Sequence, residues 1–447
     1  MSERTLKGFE NIKSSEDPFF DEIRPCRDEE AHDVLASIAN DEALVNGIVR
    51  LRYPKAHKWF GPLLRWQVRS YIKSAISNIH SVKEFQLQVA NAVSRMIATT
   101  TDGVKFVGFD TLDRSQGYLF ISNHRDISLD PALIDYALHT YHAETVRIAI
   151  GDNLLRMPAA TALMRLNKSF IVKRSVTSPR DRLKEINRLS LYIGLSLQEN
   201  HSIWIAQREG RAKDGNDSTE EAVLKMLYMK GRMEGQSFKD YMTSLKIVPV
   251  SITYEYDPSD NDKAHELETK ARNNGKYQKG ELEDINSIMK GIRGYKGRVS
   301  IVAGKPIEDG FENPAELAAI IDNFIYQNYA IFPDVKLAAV KLGLADESLL
   351  KDVDPIFKTK FEERLTAIAP ELHERVLKMY AYPYINQQRA LRGEVTAASE
   401  AFTDDKNFAT ASSAAAIAEA SAAEAAAAAE TAAAASAADA APTANKE

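Results

Sequence analysis

Cysteine is almost absent: Cys26 is the only one in 447 residues. This excludes an internal disulfide framework and any cysteine-based zinc cluster, and it fits a reducing compartment. Long hydrophobic runs are missing too. No stretch approaches the roughly 18 to 20 uninterrupted apolar residues of a spanning helix, and Met1-Ser2-Glu3-Arg4 lacks an apolar signal core. The chain is therefore expected not to cross a membrane and to reside in the cytoplasm. There is no Gly-x-Ser-x-Gly elbow and no internal repeat in the body. With no recognisable nucleic-acid-binding motif either, nucleic acid is not an expected partner.

Acidic residues are missing from one long stretch. Between Ala43 and Lys83 stand Arg50, Arg52, Lys55, Lys58, Arg65, Arg69, Lys73 and Lys83 with no Asp or Glu. The formal net charge is −6. From Ala397 onward eight acids face only Lys406 and Lys446, so this tail carries all of it and the rest is formally neutral. In a neutral body, one basic segment acts as a local face. Tyr53, Trp59, Phe60, Leu63, Leu64, Trp66 and Tyr71 interleave with its cations between residues 50 and 73, which suits anionic headgroups and an aromatic interfacial anchor. Aromatics that pack on the core while the cations face water would explain the same pattern.

What is present organises the chain into four parts. Residues 1–100 read as an N-terminal helical region, the candidate membrane-docking segment. Residues 101–310 alternate short apolar runs with helical patterns: Val104 to Val107, Tyr118 to Ile121, Val146 to Ile150, Phe170 to Val172, Ile203 to Ala206, Ile247 to Ile252 and Val299 to Val302. Such alternation argues an α/β core. Ser178-Pro179-Arg180-Asp181 supplies a cap, Pro at N1 and an early acid for a helix ending near Glu199-Asn200. Residues 311–396 form a C-terminal helical region divided by Pro333, Pro355, Pro370 and Pro383. Residues 397–447 are an Ala-rich tract with too little apolar area to offset its ordering entropy, and disorder is expected.

Four segments carry candidate chemistry. In Asn123-His124-Arg125-Asp126-Ile127-Ser128-Leu129-Asp130-Pro131, an imidazole follows a buried strand, and Asp130-Pro131 reads as the N-cap and N1 of a helix. Lys173-Arg174-Ser175 puts paired cations after a strand, where they could hold a phosphate or simply be solvated. Glu209-Gly210-Arg211-Ala212-Lys213-Asp214-Gly215 is a charged turn whose glycines permit positive φ or close approach to a ligand. Val248-Pro249-Val250 is an apolar strand in which Pro249 suggests an edge or an irregularity.

In this order and spacing the four segments resemble the glycerol-phosphate acyltransferase superfamily, the PlsC-like enzymes, over roughly Val104 to Ile307. The resemblance implies an α/β fold with a central mixed sheet and helices on both faces. It also implies transfer of an acyl group from acyl-CoA or acyl carrier protein to a glycerol-phosphate or lysophosphatidate hydroxyl, without a metal or other cofactor. His124 would be the general base and Asp130 its orienting acid, with Asn123, Lys173, Arg174, Glu209, Gly210, Arg211 and Lys213 binding substrate. Peripheral attachment to the inner face of the membrane would follow from the lipid acceptor. Two departures stand out. The family has four residues between His and Asp, whereas five separate His124 from Asp130, which leaves Asp126 as a rival. Arg211 and Ala212 stand where the family has Thr and Arg, so the cation there is Arg211 or Lys213. Two other readings remain: a metal-dependent phosphohydrolase using His124, Asp126 and Asp130, and a catalytically silent lipid-binding scaffold.

Overall fold

The computed structural model describes residues 9, 11–155, 157–280 and 282–397. The Ala-rich tract beyond Ala397 lies outside them. Each of the seven short apolar runs is a strand: Val104–Val107 (β1), Leu119–Ser122 (β2), Arg147–Gly151 (β3), Ser169–Val172 (β4), Ile203–Ala206 (β5), Ile247–Tyr254 (β6) and Val299–Ala303 (β7). They form one sheet in the order β1-β7-β6-β2-β5-β3-β4. Only the β6–β7 pair is antiparallel, so the sheet is mixed as expected. The strands β6, β2, β5, β3 and β4 therefore all end on the same edge, and the loops that follow them share it.

Helices cover both faces, because a strand buried on both sides exposes apolar groups alternately above and below the sheet. On one face Phe120 lies between its register partners Trp204 and Val248. Leu133, Ile134 and Ala137 of helix Leu129–Thr140 and Val93 and Met96 of helix Val82–Thr100 close over them. On the other face Phe170 meets Tyr192 of helix Pro179–Gln198, ring centroids 5.2 Å apart. There too Ser251 donates to the Ile325 carbonyl of helix Pro314–Gln327 at 2.9 Å. Each large apolar side chain fully buried in this way contributes about 1.5–3 kcal/mol. The helix after Ser178 starts as its capping residues dictate, with the Ser178 hydroxyl accepting from the Asp181 N–H.

Pro249 departs from expectation, since it lies in an interior strand rather than at an edge. The register explains its tolerance. β6 pairs with β7 only from Val250 to Tyr254, so Pro249 stands just outside that ladder, where a missing N–H leaves no bond unmade. A true sheet edge, β4, is covered by the N-terminal segment, whose Ile23 carbonyl accepts from Ile171 N–H at 2.9 Å. Covering removes an unpaired edge that would otherwise recruit another strand.

Contacts group the chain into two units. The first comprises Met1–Arg211, Ser218–Pro258 and Lys279–Ile325; the second comprises Ala212–Asp217, Ser259–Gln278 and Tyr326–Glu447. In the first unit, helix Val82–Thr100 supplies core side chains to the sheet. Within the second unit, buried Asp260 accepts from Arg364 at 2.5 Å and from Tyr380 at 2.9 Å. Gly215, at φ 84°, lies against the Met379 carbonyl, where any Cβ would collide. Its close approach thus serves backbone packing.

Candidate active site

β2 ends at Ser122, and the loop that follows turns His124 toward the start of helix Leu129–Thr140. His124 Nδ1 lies 2.8 Å from Asp130 Oδ2. A carboxylate only accepts, so in the neutral ring Nδ1 carries the proton and Nε2 keeps its lone pair. The ring is 13% exposed and meets Trp204 of β5 edge-to-face, centroids 5.5 Å apart. Trp204 Nε1 donates to Ser122 Oγ at 2.9 Å, and Ser122 Oγ donates to the Asn123 carbonyl at 2.8 Å. These bonds brace the turn on which the imidazole is carried.

Asp130 is fully buried, and its charge is met by four donors. Oδ2 accepts from His124, from Arg125 N–H at 2.6 Å and from Asp126 N–H at 2.9 Å; Oδ1 accepts from the Tyr254 hydroxyl at 2.8 Å. The sequence reading of Asp130 as the N-cap needs correction. The helix begins two residues earlier, at Leu129, and Asp130 and Pro131 sit inside its first turn. Asp126 does the work of a cap: its Oδ1 accepts from Ser128 N–H at 3.0 Å and Leu129 N–H at 2.9 Å. The extra residue between His124 and Asp130 thus belongs to a turn closed by Asp126, and it is Asp130 that meets the imidazole.

Asn123, expected to bind substrate, is fully buried. Its side-chain amide donates to the Ile252 carbonyl at 2.9 Å and accepts from Ile252 N–H at 2.8 Å, tying the loop to β6. Lys173 follows β4 and is paired with Glu22 at 2.5 Å. Hydrogen bonds from Lys173 and Arg188 pull the Glu22 carboxyl down to about 2. Arg174 lies 3.4 Å from Glu209, linking the loop after β4 to the loop after β5. Arg211 donates to the buried Ser287 hydroxyl at 2.7 Å and has no carboxylate partner among the described residues. Gly210 adopts φ 76° with open space where a Cβ would be. Lys213 belongs to the second unit, where it pairs with Glu266.

Strand order ranks these cations. β5 is the immediate neighbour of β2, whereas β4 lies three strands away. At about 4.8 Å per strand, the loop carrying Lys173 and Arg174 leaves the sheet about 14 Å from that carrying His124. Arg211 leaves from the adjacent strand. Among the described residues no three His, Cys, Asp or Glu side chains are arranged to hold a metal ion. His124, Asp126 and Asp130 in particular bond to one another and to backbone N–H groups.

Residues 103–253 match the sequence model of the Acyltransferase family. This segment is an acyltransferase-family domain. No curated protein matches the chain. Among solved structures it is similar to the crystal structure of the 1-acyl-sn-glycerophosphate (LPA) acyltransferase, PlsC, from Thermotoga maritima. The identity is 15%, covering 66% of this chain and 91% of that chain, with a TM-score of 0.32.

Within the acyltransferase domain the arrangement can move a proton. An oriented imidazole with a free Nε2 and a buried carboxylate behind it can accept a hydroxyl proton and stabilise the imidazolium that forms. Tyr254 completes this group and is marked by no sequence motif. It lies two residues past the apolar run Ile247 to Ile252. Its one sequence signal is the alternation Val248, Val250, Ile252, Tyr254, which places it on the same face as Phe120 and Trp204. Burial, reinforced by the carboxylates of Asp130 and Asp126, holds its phenol well above the usual tyrosine range.

Proposed function

We propose that this domain transfers a fatty acyl group from acyl-CoA or acyl carrier protein to a hydroxyl of glycerol phosphate or lysophosphatidate. His124 Nε2 takes the hydroxyl proton as the oxygen attacks the thioester carbonyl. Asp130 holds the ring and stabilises its cationic form. Collapse of the tetrahedral intermediate breaks the C–S bond, and the proton passes from His124 to the departing thiolate. The substrate's own hydroxyl is the nucleophile, so no acyl-enzyme forms. The observation that carries this reading is the 2.8 Å contact of His124 Nδ1 with Asp130, inside a segment matching the Acyltransferase family.

Arg211 is the cation best suited to the acceptor phosphate, because its charge meets no carboxylate among the described residues and it follows the strand beside β2. Lys173 and Arg174 already face Glu22 and Glu209 and would meet a phosphate only in exchange for those partners.

A lipid acceptor requires contact with a bilayer. Among the described residues no helix is long and apolar enough to cross a membrane. Helix His57–Ile76 suits a surface role: Leu64 and Val68 pack on Val45 and Val49, while Trp59, Trp66 and Tyr71 are 84%, 67% and 75% exposed. Exposed aromatics among cations, in a stretch without acids, fit the anionic cytoplasmic face of a membrane.

The test is incubation of the protein with acyl-CoA or acyl carrier protein and a panel of glycerol-phosphate acceptors, with the lipid products identified by mass. An acylated glycerophospholipid is expected, and His124→Ala should abolish it with the circular-dichroism spectrum unchanged. Transfer by the variant at the native rate would refute the mechanism; no transfer to any acceptor would leave the scaffold reading.

A further inference from the structure

The carboxylate behind His124 is bonded at both oxygens, and among the described residues the side-chain donor to its Oδ1 is Tyr254, at 2.8 Å. β6 delivers that donor by overhang. Pairing with β2 stops at Val250 opposite Ser122, and β6 continues four residues to Tyr254. This carries the phenol past the end of β2, to the level of the His124 loop. The Asn123 amide, bonded in both directions to Ile252, locks the same stretch of β6 to that loop. A phenol kept protonated by burial beside two carboxylates donates throughout the neutral pH range.

We infer that Tyr254 is a positioning residue of the His124–Asp130 pair: its hydroxyl fixes the carboxylate rotamer and, by drawing charge from Asp130, lowers the proton affinity of His124. The logic is electrostatic. A carboxylate that shares its charge with a further donor stabilises an adjacent imidazolium less. The imidazole then stays neutral, and able to accept a proton, at a lower pH. This inference rests on the acyl-transfer reading for its effect on rate but not for its effect on titration.

Asp130 is the ionisable group bonded to the ring, and Asp126 is joined to Asp130 through its backbone N–H. Beyond them, Asp257 acts on the Tyr254 phenol, and the Lys296 ammonium feels Asp126. All remain in a Tyr254→Phe variant, so a change in titration isolates the phenol. The experiment follows the His124 imidazole by NMR from pH 4 to 9 in native protein, in Tyr254→Phe, and in Tyr254→3,5-difluorotyrosine, a stronger donor of nearly the same shape. The expected result is an upward move of the midpoint by about half a unit in Tyr254→Phe and a downward move in the fluorinated protein. If acyl transfer is measurable, the acid limb of its pH profile should move with the midpoint, with kcat lowered about tenfold and KM unchanged. A midpoint that is the same in all three folded proteins overturns the inference. Should Tyr254→Phe not fold, the fluorinated protein decides alone. Opposite shifts without any acyl transfer would sink the proposed function and leave this inference standing.

Discussion

At the scale of single residues, Asp126 and Asp130 divide two jobs that one carboxylate could have shared. Asp126 accepts from Ser128 and Leu129 N–H groups, a task an asparagine performs nearly as well. Asp130 faces only donors, and an amide there would turn an NH₂ toward other N–H or O–H groups and favour the wrong imidazole tautomer. Asp130→Asn is therefore expected to lower kcat/KM by about a thousandfold or more, and Asp126→Asn by less than about tenfold. Steady-state kinetics of the two variants side by side checks this; equal losses would transfer the partner role to Asp126 or implicate loop geometry. The candidate pair was legible because both residue types stand in one short segment. Which acid meets the ring was not, because it depends on where the helix begins.

At the scale of elements, helix His57–Ile76 separates its two faces more cleanly than the order of its residues suggests. The backbone leaves helical geometry at Phe60, and Pro62 follows inside the helix. This break changes the facing of Trp59 and Phe60 relative to the turns beyond. A residue count that assumes one uninterrupted period mixes the faces; the folded helix buries Gly61, Leu64 and Val68 and exposes the large aromatics. Because Trp59 and Trp66 support no core packing, the double variant Trp59→Ser/Trp66→Ser is expected to keep its Tm within about 2 °C. It should lose most of its co-sedimentation with phosphatidylserine-containing vesicles. Undiminished vesicle binding would assign membrane attachment to another surface. The same reasoning at β6 explains Tyr254. A strand's apolar run marks where it is buried, whereas its hydrogen-bonded length is set by β7, which pairs with it through Tyr254.

At the scale of the whole molecule, charge is the property most directly written in the sequence. The residues from Ala397 onward hold all of the net −6, and the preceding body is formally neutral. Truncation after Ala397 should leave kcat and KM for acyl transfer unchanged, while association with anionic vesicles at low salt strengthens because a repelling charge has gone. A flotation assay across salt concentrations measures this, and a fall in kcat on truncation would give the tail a role in turnover.

Composition and periodicity were enough to specify the seven strands, the helix after Ser178 and the segments bearing His124, Lys173 and Arg211, because burial, capping and turn chemistry act over a few neighbouring residues. Strand order is decided by contacts between residues far apart in the chain, and order is what makes the loop bearing Arg211 leave from the strand beside β2 and the loop bearing Lys173 leave the sheet about 14 Å away. The pairing of Lys173 with Glu22, the gathering of Lys213 into a second unit with Glu266, and the meeting of Tyr254 with Asp130 span 151, 53 and 124 residues. No local pattern encodes such meetings; tertiary packing creates them by bringing distant chain segments to one place.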